Sequence, residues 1–518
     1  AEAHHDRTLK LINYFVERYH YRKTKLDDLL SSQILDRYLD ALDVNRSYFL
    51  ADDIEFFESY RYELDDYLSA QDSGPLFGIF NVYRSRVLNR IDYALDLLET
   101  PFDFSVDEVY PFDRTQAPWA VDSADLDDLW RRRVKNDYLV LKLEGKTHSE
   151  ISKTLKDRYQ QQKRRIFQLS SQDVFQIMVN AYMSAIEPHT GYFSPRATEN
   201  FKIRMSLSLE GIGAVLQAQN EFTVVQRVVP GGPAELEGSL RAGDRIVGVG
   251  QGDTESVVDV IGWRLDDVVD LIRGPKGSIV RLQIRPDPKT GNSESRILAL
   301  TRDEIKLEEQ AAQSTLLAVR DTEQVRRIGV IDIPTFYVDF DARSRGDADY
   351  RSTTRDVRRL ITELENEGID GLIIDLRGNG GGALAEATAL TGLFIDSGPV
   401  VQVRDARGRT QVNRDPSDGL AYAGPLAVIV DRDSASASEI FSGAIQDYHR
   451  GIIVGEPTYG KGTVQNLIDL DRYSQDPEQS LGQLKLTIAQ FFRITGASTQ
   501  HRGVVPDIVL PSRGSDLP

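Results

Sequence analysis

Beyond about residue 290, short apolar runs alternate with amphipathic helical stretches, and nothing else in the sequence narrows the possible folds as much. Aliphatic and β-branched runs at 327–333, 371–376, 426–430, 452–454 and 484–490 predict strands. Segments 354–367, 383–394 and 436–448 carry apolar residues three and four apart and predict helices. Strands that alternate with helices must bury a sheet under helical layers, so this part predicts an α/β layered domain.

Two earlier regions have a different character. From His4 to about Thr100 apolar residues recur at helical spacing (Leu9, Ile12, Phe15; Leu35, Tyr38, Leu39, Leu42), and 126–143 and 174–186 continue the pattern. A stretch rich in proline and aspartate interrupts it near 101–123. From about 203 the period shortens to strands at 212–216, 222–229, 245–249 and 279–284. Turns at Pro230-Gly231-Gly232-Pro233, Arg241-Ala242-Gly243-Asp244 and Gly274-Pro275-Lys276-Gly277 separate them. The expected division is a helical domain at 1–202, a β module at 203–287 and a core at 288–518, with 288–325 and 484–518 peripheral to that core. A chain of 518 residues exceeds what one hydrophobic core supports, which agrees with several domains.

Composition removes several function classes. A net charge of -18 and a pI near 5.0 argue against a nucleic-acid backbone as main partner. No run approaches the ~20 apolar residues of a membrane span. The absence of cysteine excludes disulfides, thiolate metal sites and cysteine nucleophiles, and suits an oxidising compartment. The opening Ala1-Glu2-Ala3 is compatible with processing after a small-residue signal-cleavage site. No metal and no cofactor is expected.

The chemistry concentrates at strand-to-helix junctions. Asp431-Arg432-Asp433-Ser434-Ala435-Ser436-Ala437-Ser438-Glu439 follows the 426–430 strand and opens a helix, where a side chain can be displayed beside unpaired N–H groups. Ser436 is the candidate nucleophile, although Ser436-x-x-Glu439 also fits a capping box. Lys461, 25 positions on, follows the next strand in Gly460-Lys461-Gly462-Thr463-Val464-Gln465 and could reach the same sheet edge. As a general base it must be neutral, its pKa lowered from ~10.4 toward ~7–8, and burial is the physical route. Gln465 could hold the amine without adding charge. A third junction, Asp375-Leu376-Arg377-Gly378-Asn379-Gly380-Gly381-Gly382-Ala383, offers backbone N–H groups; those of Gly382 and Ala437 are the candidate oxyanion donors.

Three other readings compete. Gly455-x4-Gly460-Lys461 imitates a phosphate-binding loop, but Gly462 stands where a magnesium-ligating Ser or Thr belongs. Gly378-x-Gly380-x-x-Ala383, with Asp396 downstream, fits a loose dinucleotide fingerprint without an initial βαβ unit around it. Among seven histidines, His449 lies thirteen residues past Ser436, about 20 Å along the helix axis. His501 stays open on sequence grounds as a partner for a Ser-His hydrolase.

In 206–284, Ser208-Leu209-Glu210-Gly211-Ile212-Gly213-Ala214-Val215, Pro233-Ala234-Glu235 and Leu240-Arg241-Ala242-Gly243-Asp244-Arg245-Ile246 resemble a bacterial PDZ domain. That module and the Ser436 and Lys461 segments together resemble the carboxyl-terminal processing proteases. The stretches Leu42-Asp43-Val44-Asn45-Arg46-Ser47-Tyr48-Phe49-Leu50 and Glu187-Pro188-His189-Thr190-Gly191-Tyr192-Phe193-Ser194-Pro195 are similar to the tail-specific members of Gram-negative bacteria. The resemblance implies a multidomain α+β chain: an N-terminal helical region, a PDZ module and a crotonase- or ClpP-like ββα serine protease core. It also implies Ser436 as nucleophile, Lys461 as base, Gln465 as the lysine's orienter and Gly382 with Ala437 as oxyanion donors. Glu210, Gly211, Ile212 and Gly213 would bind a terminal carboxylate while the peptide adds to a sheet edge.

Asp447 matches a proposed third catalytic member, but it lies eleven residues along the helix from Ser436, about 16 Å by rise, and a carboxylate beside Lys461 would raise its pKa, so a structural role is expected. The implied setting is the periplasm, the implied substrates tails of misfolded or regulated envelope proteins, and a lipoprotein adaptor is a conceivable partner. The resembled proteins carry a further helical region beyond the counterpart of 503–509. The rival class is a non-catalytic PDZ scaffold or chaperone-like binder, against which intact Ser436, Lys461 and Gln465 speak.

Overall fold

The computed structural model describes residues 3–253, 256–287, 289, 294–320, 324–415, 419–474, 476 and 479–511. They divide into two compact units, Ala1–Thr198 with Gln465–Ile488 and Glu199–Val464 with Ala489–Pro518.

The first unit is helical because its apolar residues recur on one face. Helix Asp28–Asp43 buries Leu30, Ile34, Leu35, Tyr38, Leu39 and Leu42, and its N-cap Asp27 accepts a hydrogen bond from the Leu30 N–H. Helix Ser171–Ile186 packs against it and buries Val174, Phe175, Met178, Val179 and Tyr182. No helix forms between Leu97 and Ser123, where prolines and aspartates favour turns.

One segment departs from the expected division. Leu470, Leu481, Leu484 and Leu486 are buried in the same cluster as Ile12, Phe175 and Tyr182. Residues 483–485 also pair antiparallel with the strand Gly191–Phe193. The expected division placed 465–488 in the 288–518 domain, with 484–488 at its periphery. Four buried leucines, at roughly 1.5–3 kcal/mol each, tie it to the helical unit instead.

The β module of the second unit has strands Ala214–Gln219, Phe222–Val228, Arg245–Gln251, Ile279–Arg285 and Arg296–Thr301 in that spatial order. It therefore runs past the expected boundary at 287. The predicted strand 212–216 is broken: Ser208–Gly211 pairs with Asp303–Lys306, and a new strand starts at Ala214. The break is Gly213, at φ +72, where a Cβ would come within 3.0 Å of the Gly232 Cα.

The core sheet runs Gln313–Arg320, Val325–Asp332, Gly371–Asp375, Leu426–Val430, Ile452–Gly455, Ile508–Val509. The first two strands form an antiparallel hairpin and all later neighbours are parallel. Continuous apolar runs such as LAVIV suit parallel strands covered on both faces. Val428, Val430, Leu372, Ile374 and Ile453 pack in one cluster with Phe441 and Phe394. Gln313–Arg320 and Ile508–Val509, read as peripheral, are the two hydrogen-bonded edges of this sheet. Edge strands are largely exposed, so their sequences lack a strong apolar signature.

Adjacent parallel strands deliver their carboxyl ends to one side. The turns after Asp375, Val430 and Gly455 therefore emerge together at one sheet edge, where α/β domains place ligands.

Candidate active site

Ser436 stands at φ 56, ψ -107 as the N-cap of helix Ala437–Asp447. A non-glycine residue held there costs roughly 1–3 kcal/mol and persists only when its surroundings impose it. The imposition is visible: Asn379, fully buried in the glycine-rich turn, accepts the Ala435 N–H (3.0 Å) and the Ser438 hydroxyl (2.9 Å) at its carbonyl oxygen. The neighbouring serines are spent on structure. Ser434 and Ser438 are fully buried and donate to Leu376 O and Asn379 O, whereas Ser436 is half-buried. The result is a strained strand-to-helix elbow that displays one hydroxyl, without the G-x-S-x-G pattern by which elbows are found in sequence.

Gly381 and Gly382 lie directly against this elbow. A Cβ on Gly381 would come within 2.9 Å of the Ser436 Cβ and 3.1 Å of the Ala437 nitrogen; one on Gly382 would come within 2.3 Å of the Phe336 oxygen. The Gly381 N–H donates to Asn379 Oδ1 (2.8 Å), and the Ala383 N–H to Phe336 O (2.9 Å). Among the described residues no hydrogen bond takes the N–H of Gly382 or Ala437. The close-packed glycines are Gly381 and Gly382, which the dinucleotide pattern does not use; an added Cβ on its own glycines, Gly378 and Gly380, would meet nothing within 4 Å.

Lys461 is half-buried in the loop after Ile452–Gly455. The loop leads into strand Thr463–Asp469 and not into a helix, so the phosphate-loop reading lacks the helix N-terminus it needs. The Gly462 N–H donates to Gln500 Oε1 (2.8 Å), and the Lys461 carbonyl accepts from the Thr499 hydroxyl (3.2 Å).

Glu439 joins the two loops. Fully buried, its carboxylate accepts the Ser436 N–H (2.7 Å), as a capping box requires. It also accepts the Thr458 hydroxyl (2.7 Å), the Gly460 N–H (2.8 Å) and the Lys461 N–H (3.0 Å). Burial raises its pKa, while these hydrogen bonds oppose the rise. Sequence reading treated Glu439 only as a cap; its position among Ala437, Ile440, Phe441 and Ala444, all buried, was the available signal that it points inward. Glu439→Gln substitutes an amide whose NH2 must face donors, so we expect a loss of roughly 2–4 kcal/mol in urea unfolding, together with reduced turnover. Unchanged stability and turnover would show that the clamp carries no weight.

Asp447 forms a two-point ion pair with Arg493 (2.5 and 3.0 Å) at the far end of the helix. Gln465 lies in the first unit, where its Nε2 donates to the Thr487 hydroxyl (3.0 Å). The His501 ring sits 3.3 Å from Gln500 Nε2, and its backbone N–H donates to Gly460 O. In the β module, Glu210 accepts the Lys276 N–H (3.1 Å) and the Ile212 carbonyl accepts the Ala234 N–H (2.8 Å). Glu210 and Gly211 end the strand Ser208–Gly211 and were expected in a loop; Ile212 and Gly213 alone connect it to the edge strand Ala214–Gln219, which packs beside helix Leu265–Ile272. Among the described residues no cluster of three or more His, Cys, Asp or Glu could hold a metal ion, and no helix is long and apolar enough to cross a membrane.

Comparison with known proteins places three family models along the chain: the tail specific protease N-terminal domain at 12–196, the PDZ domain at 201–285 and peptidase family S41 at 327–510. Over 494 residues the chain is 45% identical to the tail-specific protease of Haemophilus influenzae, covering 95% of this chain and 68% of that protein. It is 30% identical to the chloroplastic carboxyl-terminal-processing peptidase 2 of Arabidopsis thaliana over 63% of this chain and 58% of that one. Among solved structures, the photosystem II D1 C-terminal processing protease is 27% identical, with 68% of this chain and 86% of that chain covered and a TM-score of 0.35. The PDZ domain of a carboxy-terminal protease from Vibrio cholerae, solved in complex with peptide, is 55% identical over 20% of this chain and all of its own length, with a TM-score of 0.19.

Proposed function

This chain belongs to peptidase family S41 in its tail-specific protease branch, and from that premise we propose that it is a serine endopeptidase that reads the C-terminal tail of its substrates and cleaves with a Ser436–Lys461 dyad. The observation that carries the proposal is the strained Ser436, seated against Gly381 and Gly382 and linked through Glu439 to the Lys461 loop.

In the proposed reaction the neutral Lys461 amine takes the Ser436 hydroxyl proton as Oγ attacks the scissile carbonyl carbon. The N–H groups of Gly382 and Ala437 receive the charge that builds on the carbonyl oxygen. Collapse breaks the C–N bond, and the lysine ammonium returns its proton to the leaving amine. Water, deprotonated by the same amine, then hydrolyses the acyl ester and restores the serine. Gln465 orients the lysine, and Asp447, tied up with Arg493, has a structural part.

Substrate tails add as a strand beside Ala214–Gln219, with the terminal carboxylate at Glu210, Gly211, Ile212 and Gly213. Envelope proteins in the periplasm are the substrate class we favour, and a lipoprotein adaptor the partner. The test is hydrolysis of an unstructured substrate with a free or an amidated C-terminus. We expect the amide to be cut at least tenfold more slowly, roughly the 1.4 kcal/mol of one lost charge-assisted contact. Equal rates would overturn tail reading, and no cleavage of either would favour the non-catalytic scaffold.

A further inference from the structure

Glu187-Pro188-His189-Thr190, marked in the sequence only by resemblance, contains a buried carboxylate that the proposed reaction does not use. Glu187 follows helix Ser171–Ile186, is 6% exposed, and accepts the Thr487 hydroxyl at 2.7 Å. Burial pushes its pKa up, but hydrogen bonds from His20, Thr190, Thr487 and the His189 N–H together outweigh that and bring it to about 2. Glu187 is therefore ionised throughout the working range, and an ionised carboxylate only accepts.

The 2.7 Å donation from the Thr487 hydroxyl to this buried carboxylate sets the direction of the next hydrogen bond. The Thr487 hydroxyl proton is committed to Glu187, so its oxygen can only accept from Gln465, and the group 3.0 Å away must be the NH2 end of the amide. With its NH2 on Thr487, the amide turns its carbonyl oxygen to the opposite side. Thr487 is itself fixed: its N–H donates to Thr190 Oγ1 (3.2 Å), its carbonyl accepts the Tyr21 N–H (2.8 Å), and the fully buried His20 ring lies 3.0 Å from the same Thr190 oxygen.

We propose that Glu187 and Thr487 are positioning residues: a relay that locks the Gln465 amide in the orientation where its carbonyl oxygen is the working end. The inference rests on reading Gln465 as the orienter of Lys461. A lysine amine has only N–H groups to offer an orienter, so it needs an acceptor, and a flipped amide would confront donor with donor. The relay supplies what spacing alone cannot, the polarity of a side chain whose two ends have nearly the same shape. Lys485, two residues before Thr487, also feels Glu187: burial lowers its pKa and the carboxylate opposes that. The decisive substitution is therefore made at Thr487, where no charge changes.

The test measures kcat and KM on one tail-bearing peptide, with melting curves to check folding. Thr487→Val should lower kcat about tenfold with KM nearly unchanged, as expected for one lost hydrogen bond acting on the chemical step. Thr487→Ser should restore most of the rate. In a Gln465→Ala background, Thr487→Val should have no further effect, because the relay acts only through that amide. A Thr487→Val enzyme of full kcat, or one whose loss is as large without Gln465, would overturn the relay. If Thr487→Val does not fold, Glu187→Gln reads the same link by the same criterion: a kcat loss present with Gln465 and absent without it, against an unchanged kcat that overturns it. Full activity of Gln465→Ala alone is a separate result, which would sink the orienter reading itself.

Discussion

Replacing Ser436 by alanine is expected to lower turnover of an unstructured substrate by roughly four to six orders of magnitude while peptide binding and the melting temperature stay near those of the parent chain. The hydroxyl is the only group removed, and the hydrogen bonds that impose φ 56, from the Ala435 N–H and the Ser438 hydroxyl to Asn379 O and from the Ser436 N–H to the Glu439 carboxylate, are left in place by the substitution. Covalent labelling by a serine-reactive fluorophosphonate should disappear in parallel. Appreciable turnover by the alanine variant would move the nucleophile elsewhere. Ser434 and Ser438 are poor substitutes, since both are fully buried with their hydroxyls committed to carbonyl oxygens.

Lys461→Met should be nearly as damaging, with a loss of roughly 10⁴-fold or more, because methionine keeps the unbranched length and removes the amine. The loss should be in kcat, since the loop itself is held by backbone contacts to Glu439, Gln500 and Thr499 that do not involve the side chain. Lys461→Arg should not rescue: a guanidinium stays protonated and cannot accept the serine proton. The parent enzyme should show a rate that climbs with pH as the amine loses its proton and then levels off. The methionine variant should lack that climb. An undiminished rate in Lys461→Met, measured beside Ser436→Ala as the blank, would require another base.

Both residues could be found from local patterns because each follows an apolar strand and sits in a turn of small residues. Glu439 was half legible. Its spacing from Ser436 announced a cap, but its bonds to Thr458, Gly460 and Lys461 depend on a loop 19 to 22 residues away. The Glu187–Thr487 contact joins positions 300 apart, and no periodicity reports such a pair. The division of the chain was misread at 465–488 for a similar reason: four leucines on a short strand-rich segment show that it must be buried, not against what.

What the amino-acid order determined alone was the kind of each element and the chemistry offered at its ends, since periodicity, caps and glycine turns act within a few residues. Which turns share an edge, which serine is left only half-buried and which end of the Gln465 amide meets Thr487 were decided by packing. Closing a long loop costs only slightly more than closing a short one, so distance along the chain says little about which residues meet.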